Sequence, residues 1–321
     1  MASSLKYTLH HYGEENELQR LGVWEVDIAD KSKYWIIYIH GGAWRDPRIK
    51  HESFAPSIDA VLADDPDPNT HRSNSTINRT AAFASLDYRL SPHPDFPQDP
   101  ATTPPAQYPG VRHPDHLDDV PAALAFLQRR YGFGVRYVLV GHSAGACMAL
   151  QLLGTAPLPA SSSDGLSDDD DNDDDGKPHL ILPQAIVCFE GIYDFAGLNA
   201  RFDGAYAGFM SGAFGNPEDW NAAAPVTLTG NYRDRWQGGG KDESGGGDGD
   251  GGGGNRVALL AWSPDDTLVD EPEVDAMARR LGADGVAGVV VMKDLEGDHD
   301  EIWEKGDGVA RMMRVVFGKL V

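Results

Sequence analysis

Cysteine is nearly absent: Cys147 and Cys188 are the two such residues in a chain of 321. Two are too few for a disulfide framework, and both stand in apolar stretches, so both are expected as buried thiols. Positive charge is also scarce. Against 50 Asp and Glu there are 27 Lys and Arg, a formal net charge of −23 that would repel nucleic-acid phosphates rather than neutralise them. Part of the excess is local, in the run SSSDGLSDDDDNDDDG ending at Gly176, whose like charges cannot fold against one another. No apolar run is long enough to span a bilayer. The N-terminal MASSLKYTLHHYGEENEL lacks a basic start followed by an apolar stretch, so the expectation is a soluble, cytoplasmic protein. On that expectation the glycosylation-type triplets at Asn74 and Asn78 carry no weight. Internal repeats are lacking as well.

A hydrophobic content of 41% in a chain of this length supports one large core or two ordinary ones, and the continuous globular pattern favours one domain. Three segments break that pattern. They are ADDPDPNTHRSNSTIN, the acidic run, and GGGKDESGGGDGDGGGGN before Arg256. Their Gly, Ser and Asp content cannot support a core. They are expected as surface insertions at about 63–79, 158–178 and 237–255, which cost little in loop-closure entropy.

Six stretches read as strands: KYWIIYIH, TAAFASLDYRL, VRYVLVG and RVALLAWS, with QAIVCFEGI and GVVVMKDL as shorter candidates. Helical patterns lie between them. HPDHLDDVPAALAFLQRRYG puts Leu117, Val120, Ala123, Leu124 and Leu127 on one face and stops at Gly132. EPEVDAMARRLG opens with acids and Pro and closes with Arg279, Arg280 and Gly282, as the helix dipole favours. Alternation of strand and helix predicts an α/β fold, a mostly parallel twisted sheet with helices on both faces.

The stretch VRYVLVGHSAGACMALQLLG runs from a buried strand through Gly141-His142-Ser143-Ala144-Gly145 into an apolar helix. That is the context the G-x-S-x-G elbow requires: a strained turn that aims the serine hydroxyl outward, flanked by glycines because side chains there would collide with neighbouring elements. Ser143 is therefore the candidate nucleophile. A serine needs a base, and a base needs an orienting acid, in the order Ser, acid, His. His299 follows a predicted strand in DLEGDHDEIW and is the candidate base. The acid is expected at the exit of RVALLAWS, where Asp266 is preferred because Asp-Thr-Leu-Val matches a D-x-x-V phrase common after this strand in hydrolases. Asp265 is the alternative.

HGGAW, from His40 to Trp44, ends the strand at Tyr34 with two glycines. Bare Gly41 and Gly42 amides, with the N–H of Ala144, can donate to an oxyanion, each such donor contributing roughly 3 to 4 kcal/mol in barrier. His40 is expected to be a structural hydrogen bonder rather than a base.

Together these residues resemble the α/β-hydrolase superfamily, in the branch of hormone-sensitive-lipase-like esterases and kynurenine formamidases. DYRLSP, from Asp87 to Pro92, is similar to a phrase of that branch. Esterases of the branch usually have a third glycine after His-Gly-Gly, whereas HGGAW resembles the motif of fungal kynurenine formamidase (arylformamidase), as do HPDHLDDV and EGIYD. The resemblance implies hydrolysis of N-formyl-L-kynurenine to L-kynurenine and formate, on the route from tryptophan to NAD, without metal or cofactor. It implies Ser143, Asp266 and His299 as triad, Gly41, Gly42 and Ala144 as oxyanion donors, and a homodimer. Trp44 would border the substrate, or else pack under the loop as core, and Arg45 and Glu190 would meet the substrate's charges. The alternatives are a carboxylesterase acting on small esters and a non-catalytic binding protein of hydrolase fold.

Overall fold

The structure is a computed structural model that describes residues 2–64, 75–155, 180–238 and 256–320. Among these, eight strands form one sheet: β1 (Lys6–His11), β2 (Arg20–Glu25), β3 (Tyr34–Ile39), β4 (Thr80–Leu86), β5 (Tyr137–His142), β6 (Ala185–Phe189), β7 (Val257–Ala261) and β8 (Val289–Met292). Their order is β1-β2-β4-β3-β5-β6-β7-β8. From β4 to β8 every neighbouring pair is parallel, and β2 runs antiparallel to both β1 and β4.

The helices are α1 (Ala55–Ala63), α2 (Asp115–Tyr131), α3 (Ala144–Thr155), α4 (Phe195–Arg201), α5 (Ala207–Phe214), α6 (Trp220–Ala223), α7 (Glu271–Ala283), α8 (Glu301–Lys305) and α9 (Asp307–Phe317). They cover both faces of the sheet, which is why β3 is apolar without interruption. Trp35, Ile37 and Ile39 enter the core beneath α2, α3 and α7, while Tyr34, Ile36 and Tyr38 enter the core beneath α1 and α9. A strand with water on one face would alternate; one buried on both has no polar phase. Cys147 and Cys188 are buried free thiols.

All six predicted strands are present. The missed pair, β1 and β2, forms the antiparallel edge; β1 is partly exposed along its length, and its polar KYTLHH gives little apolar signal. Helix α2 ends where expected, with Gly132 left-handed at φ 63° and its N–H on Gln128 O. Helix α7 does not end at Gly282. It continues to Ala283, and the left-handed residue that closes the turn is Gly285 at φ 74°, its N–H on Gly282 O.

Of the expected insertions, the second lies outside the described residues, as does most of the third, which begins with Gln237 and Gly238 closing a short helical turn over Arg233–Gly238. Of the first, residues 65–74 lie outside the described residues, while Ser75 and Thr76 are buried and Ile77–Arg79 form a 3-10 turn leading into β4.

Candidate active site

The carboxyl ends of the parallel strands carry the predicted chemistry. At the end of β5, Ser143 has φ 52°, a left-handed conformation costing about 1 to 2 kcal/mol for a residue with a Cβ. Its N–H donates to Phe189 O at 3.1 Å, and its carbonyl accepts the first helical bond of α3 from Cys147 at 3.1 Å. The flanking glycines have steric causes. A Cβ on Gly145 would lie 2.1 Å from Ile39 O, and one on Gly141 would lie 2.5 Å from Gly145 O. Ala144 opens α3, so its N–H has no acceptor within the helix.

Ser143 faces the loop after β3. A Cβ on Gly41 would stand 3.1 Å from Ser143 Cβ and 2.6 Å from His142 Nδ1, so a bare backbone is required where the two loops meet. Gly42, Ala43 and Trp44 then take three successive positive φ values, 97°, 49° and 60°. Ala43 and Trp44 are strained in that region, and burial of the Trp44 ring offsets the strain. The ring is fully buried, edge-on to Phe195 at 5.8 Å and to Phe214 at 4.8 Å, while its carbonyl accepts from Ser91 N at 2.9 Å. Of the two sequence readings of Trp44, the structure places it under the loop as core, with no ring surface left to border a substrate.

His40 Nδ1 donates to Gly41 O at 2.8 Å, and its ring stacks on Tyr88 at 4.5 Å. Tyr88 O–H also donates to Gly41 O, at 2.8 Å. Beside it Asp87, fully buried, accepts from Arg20 Nε at 2.8 Å and from both the N–H and Nδ1 of His51 at 2.6 and 2.9 Å. Burial pushes the Asp87 carboxyl up, but these partners with His40 bring it below the ordinary range. DYRLSP therefore braces the Gly41 turn from beneath, a role the phrase alone did not reveal.

The loops after β7 and β8 bring Asp266 and His299 together. His299 Nδ1–H donates to Asp266 Oδ2 at 2.8 Å, and Asp266 Oδ1 accepts from Leu268 N and Val269 N at 2.7 and 2.9 Å. Burial raises the Asp266 carboxyl, but the hydrogen bond from His299, the adjacent Glu190 carboxyl and the backbone amides outweigh it and hold it at about 2. Asp265 instead accepts from Gly297 N at 3.2 Å. Asp298, next to His299 in sequence, is a brace: Oδ1 accepts from Thr267 N, Thr267 Oγ1 and His299 N at 3.0, 2.9 and 2.8 Å. An Asp bonding the backbone of its own loop was a readable turn signal. Behind the imidazole, His142 Nε2–H donates to His299 O at 3.1 Å, with ring centroids 4.7 Å apart. No hydrogen bond joins Ser143 Oγ and His299.

Glu190 and Arg45 are not together. Glu190 is fully buried just after β6, beside Asp266. Arg45, half-buried, lies 5.6 Å over the Phe209 ring and lines a cavity of about 260 Å³ with Arg20, His40, Lys50, His93 and Phe96. That cavity lies along the loop after β3 and is lined by neither Ser143 nor His299. Among the described residues, two sets of potential metal ligands have atoms within 4.8 Å: Glu190, Asp266 and His299, and His142, His299 and Asp300. Both draw on His299, whose Nδ1 is engaged by Asp266, so a cation in the first set would compete with that hydrogen bond.

No protein-family model matches the chain. Known proteins do. The chain is 31% identical over 297 residues to "Kynurenine formamidase avaC" of Aspergillus versicolor, covering 86% of each. It is 32% identical over 306 residues to "Kynurenine formamidase-like hydrolase fscH" of Fusarium equiseti, covering 92% of this chain and 88% of that one. With the kynurenine formamidase of Meyerozyma guilliermondii it shares 32% over 276 residues, covering 86% and 80%. Among solved structures, a hormone-sensitive lipase from a metagenome library superposes with TM-score 0.59 at 18% identity over 100% of this chain and 87% of that one. Esterase B from Lactobacillus rhamnosis gives TM-score 0.61 at 13% identity over 99% and 87%. These structures share the α/β-hydrolase fold with the chain.

Proposed function

Since the chain belongs to the kynurenine formamidase family, we propose that it hydrolyses N-formyl-L-kynurenine to L-kynurenine and formate through a formyl-serine intermediate. The observation that carries this reading is the 2.8 Å hydrogen bond from His299 Nδ1 to Asp266 Oδ2, at the sheet edge where Ser143 occupies its strained elbow. With Nδ1–H held by a carboxylate, the neutral imidazole presents the lone pair of Nε2, the atom a general base needs.

Ser143 Oγ attacks the formyl carbon as Nε2 takes its proton. The carbonyl oxygen becomes negative within reach of the Ala144, Gly41 and Gly42 amides, which are preorganised and need no reorientation as charge develops. Collapse of the tetrahedral species breaks the C–N bond, and the imidazolium protonates the leaving arylamine. Water, deprotonated by the same Nε2, then attacks the formyl ester and releases formate and Ser143. Asp266 stays ionised throughout and stabilises the imidazolium. The alternative reading, a carboxylesterase for small esters, uses the same steps with an alcohol as leaving group.

The experiment is a comparison of kcat/KM for N-formyl-L-kynurenine and for a p-nitrophenyl ester of a short acid, with wild type and Ser143→Ala. Preference for the formamide, lost in the variant, is the expected result. A strong preference for the ester would transfer the reading to the carboxylesterase, and undiminished turnover by Ser143→Ala would remove Ser143 from the chemistry.

A further inference from the structure

Glu190 is a carboxyl group in a place that ought not to hold one. It is fully buried, and its backbone has φ 49°, where a side chain costs about 1 to 3 kcal/mol and glycine would cost nothing. Its N–H is fixed to Ala261 O at 3.1 Å, so the side chain is locked between the ends of β6 and β7. Carboxyl oxygens of Glu190 and Asp266 and a ring nitrogen of His299 all lie within 4.8 Å of one another. Treated as a carboxylate, Glu190 has no hydrogen-bond donor to either oxygen apart from a weak approach to the Ser263 backbone, and it faces another carboxylate. Two buried anions in contact repel; one proton between them turns the contact into a hydrogen bond.

The proton belongs on Glu190. Asp266 already accepts from two backbone amides and an imidazole, and each stabilises its ionised form. Glu190 has no comparable set, and the groups that face it are Asp266, Asp298, Tyr193 and His299. Burial, then the bond to Asp266 and its negative charge, push the Glu190 carboxyl up to about 11.

We propose that Glu190 is a positioning residue, protonated in the resting enzyme, whose O–H donates to Asp266 and fixes that carboxylate in the orientation that grips His299 Nδ1. This rests on the reading of Ser143, His299 and Asp266 as one unit. Glu190 touches no reacting atom. It supplies Asp266 with a further donor without adding a second negative charge that would tighten the imidazole's hold on its proton, so the acid is held still and His299 can still give its proton up.

The test has three parts, chosen to separate this proposal from the triad reading. Fluorophosphonate labelling of Ser143 addresses the triad alone; absence of labelling in wild type would sink that reading. The infrared spectrum of wild-type protein carrying 13C-glutamate addresses the proton alone: at about pH 9.5, where an unperturbed Glu and also Glu273, raised by burial to about 7, are ionised, a C=O stretch of a protonated, 13C-shifted carboxylic acid is expected. Its absence in protein whose Ser143 labels normally would overturn the proposal, and because it uses wild type, it does not depend on any variant folding. Kinetics addresses the linkage. Glu190→Ala should lower kcat about tenfold or more with KM within about twofold, and Glu190→Gln, which keeps a donor toward Asp266, should recover kcat to within about threefold of wild type. The acid limb of kcat/KM should lie at the same pH in Glu190→Gln as in wild type. If Glu190 were ionised, removing its charge would weaken the imidazole's hold on its proton, and a downward move of that limb by about one unit or more would refute the proposal.

Discussion

Gly145 lies so close to β3 that a Cβ there would meet Ile39 O at 2.1 Å and His40 O at 2.7 Å. Helix α3 is thus pressed onto the strand that delivers the Gly41 turn, and the missing side chain sets the distance between the elbow and the loop opposite. Gly145→Ala must push backbone against backbone, with no flexible side chain to yield. The expected destabilisation is about 3 kcal/mol or more, at the upper end of overpacking, with near-complete loss of activity. Gly208, in α5, is the control: nothing lies within 4 Å of a Cβ there, so Gly208→Ala should stabilise by about 0.5 to 1 kcal/mol. Urea unfolding of both variants checks the pair.

The two neighbouring acids after β7 separate cleanly. Asp266 holds the imidazole, whereas Asp265 holds the Gly297 amide. Asp266→Asn replaces an anion by an amide that can favour the wrong tautomer of His299, and kcat should fall by about 10³ to 10⁴. Asp265→Asn keeps an acceptor for Gly297 N and should change kcat by less than about fivefold. Equal losses in the two variants would contradict the assignment; kcat and KM measured side by side decide.

Much of this was legible in the chain because chemistry and steric demand coincide at short motifs. A strand, two glycines and a helix around Ser143 admit few geometries, and apolar runs such as YWIIYI announce strands buried on both faces. The edge strands were not legible, since KYTLHH is half wet and its pairing is decided by β2 rather than by its own pattern. Long-range polar contacts were hidden for a related reason. Glu190 meets Asp266 across 76 positions of sequence, and Asp87 meets His51 across 36; neither pairing has a spacing rule. Trp44 was ambiguous because a motif tryptophan serves equally as pocket wall or as anchor, and only the surrounding Phe195 and Phe214 decide.

Tyr88 links the DYRLSP phrase to the Gly41 turn through its hydroxyl, 2.8 Å from Gly41 O. Tyr88→Phe keeps the stack on His40 and removes only that donor. A lost buried hydrogen bond costs about 1 to 3 kcal/mol in stability, and a turn free to shift carries the Gly41 and Gly42 amides with it. A fall in kcat of about tenfold with little change in KM is expected if, as proposed, the amides act on charge that exists only in the transition state. Loss confined to KM would mean that Tyr88 serves substrate binding instead.

Acid should destabilise the fold well before its carboxylates are neutralised. Burial, with lesser repulsion from His113 and Arg89, holds His116 down to about 3, its Nε2 paired with Ser91 Oγ at 2.9 Å. His40 and His142 are lowered too, each chiefly by burial. For a group whose folded value lies below its unfolded one, the unfolded chain binds more protons between the two, so stability rises with pH across that window and is lost as pH falls. With an unfolded histidine near 6.5, the loss should begin around pH 6.5 and for His116 continue toward 3, at up to about 1.4 kcal/mol per pH unit for each such histidine. Asp266, held at about 2 although burial opposes it, contributes stability above the unfolded carboxylate range that is lost from about 4 down to 2, the same direction at lower pH. Glu190, protonated in the fold and ionised when unfolded, contributes with the opposite sign over the same range, so the histidine contribution is read by comparing the urea midpoints of two proteins between about pH 5 and 7.5. His116→Gln, whose amide can still meet Ser91 but cannot take a proton, should show a shallower fall than wild type. Parallel slopes for the two proteins would mean that His116 does not carry this dependence.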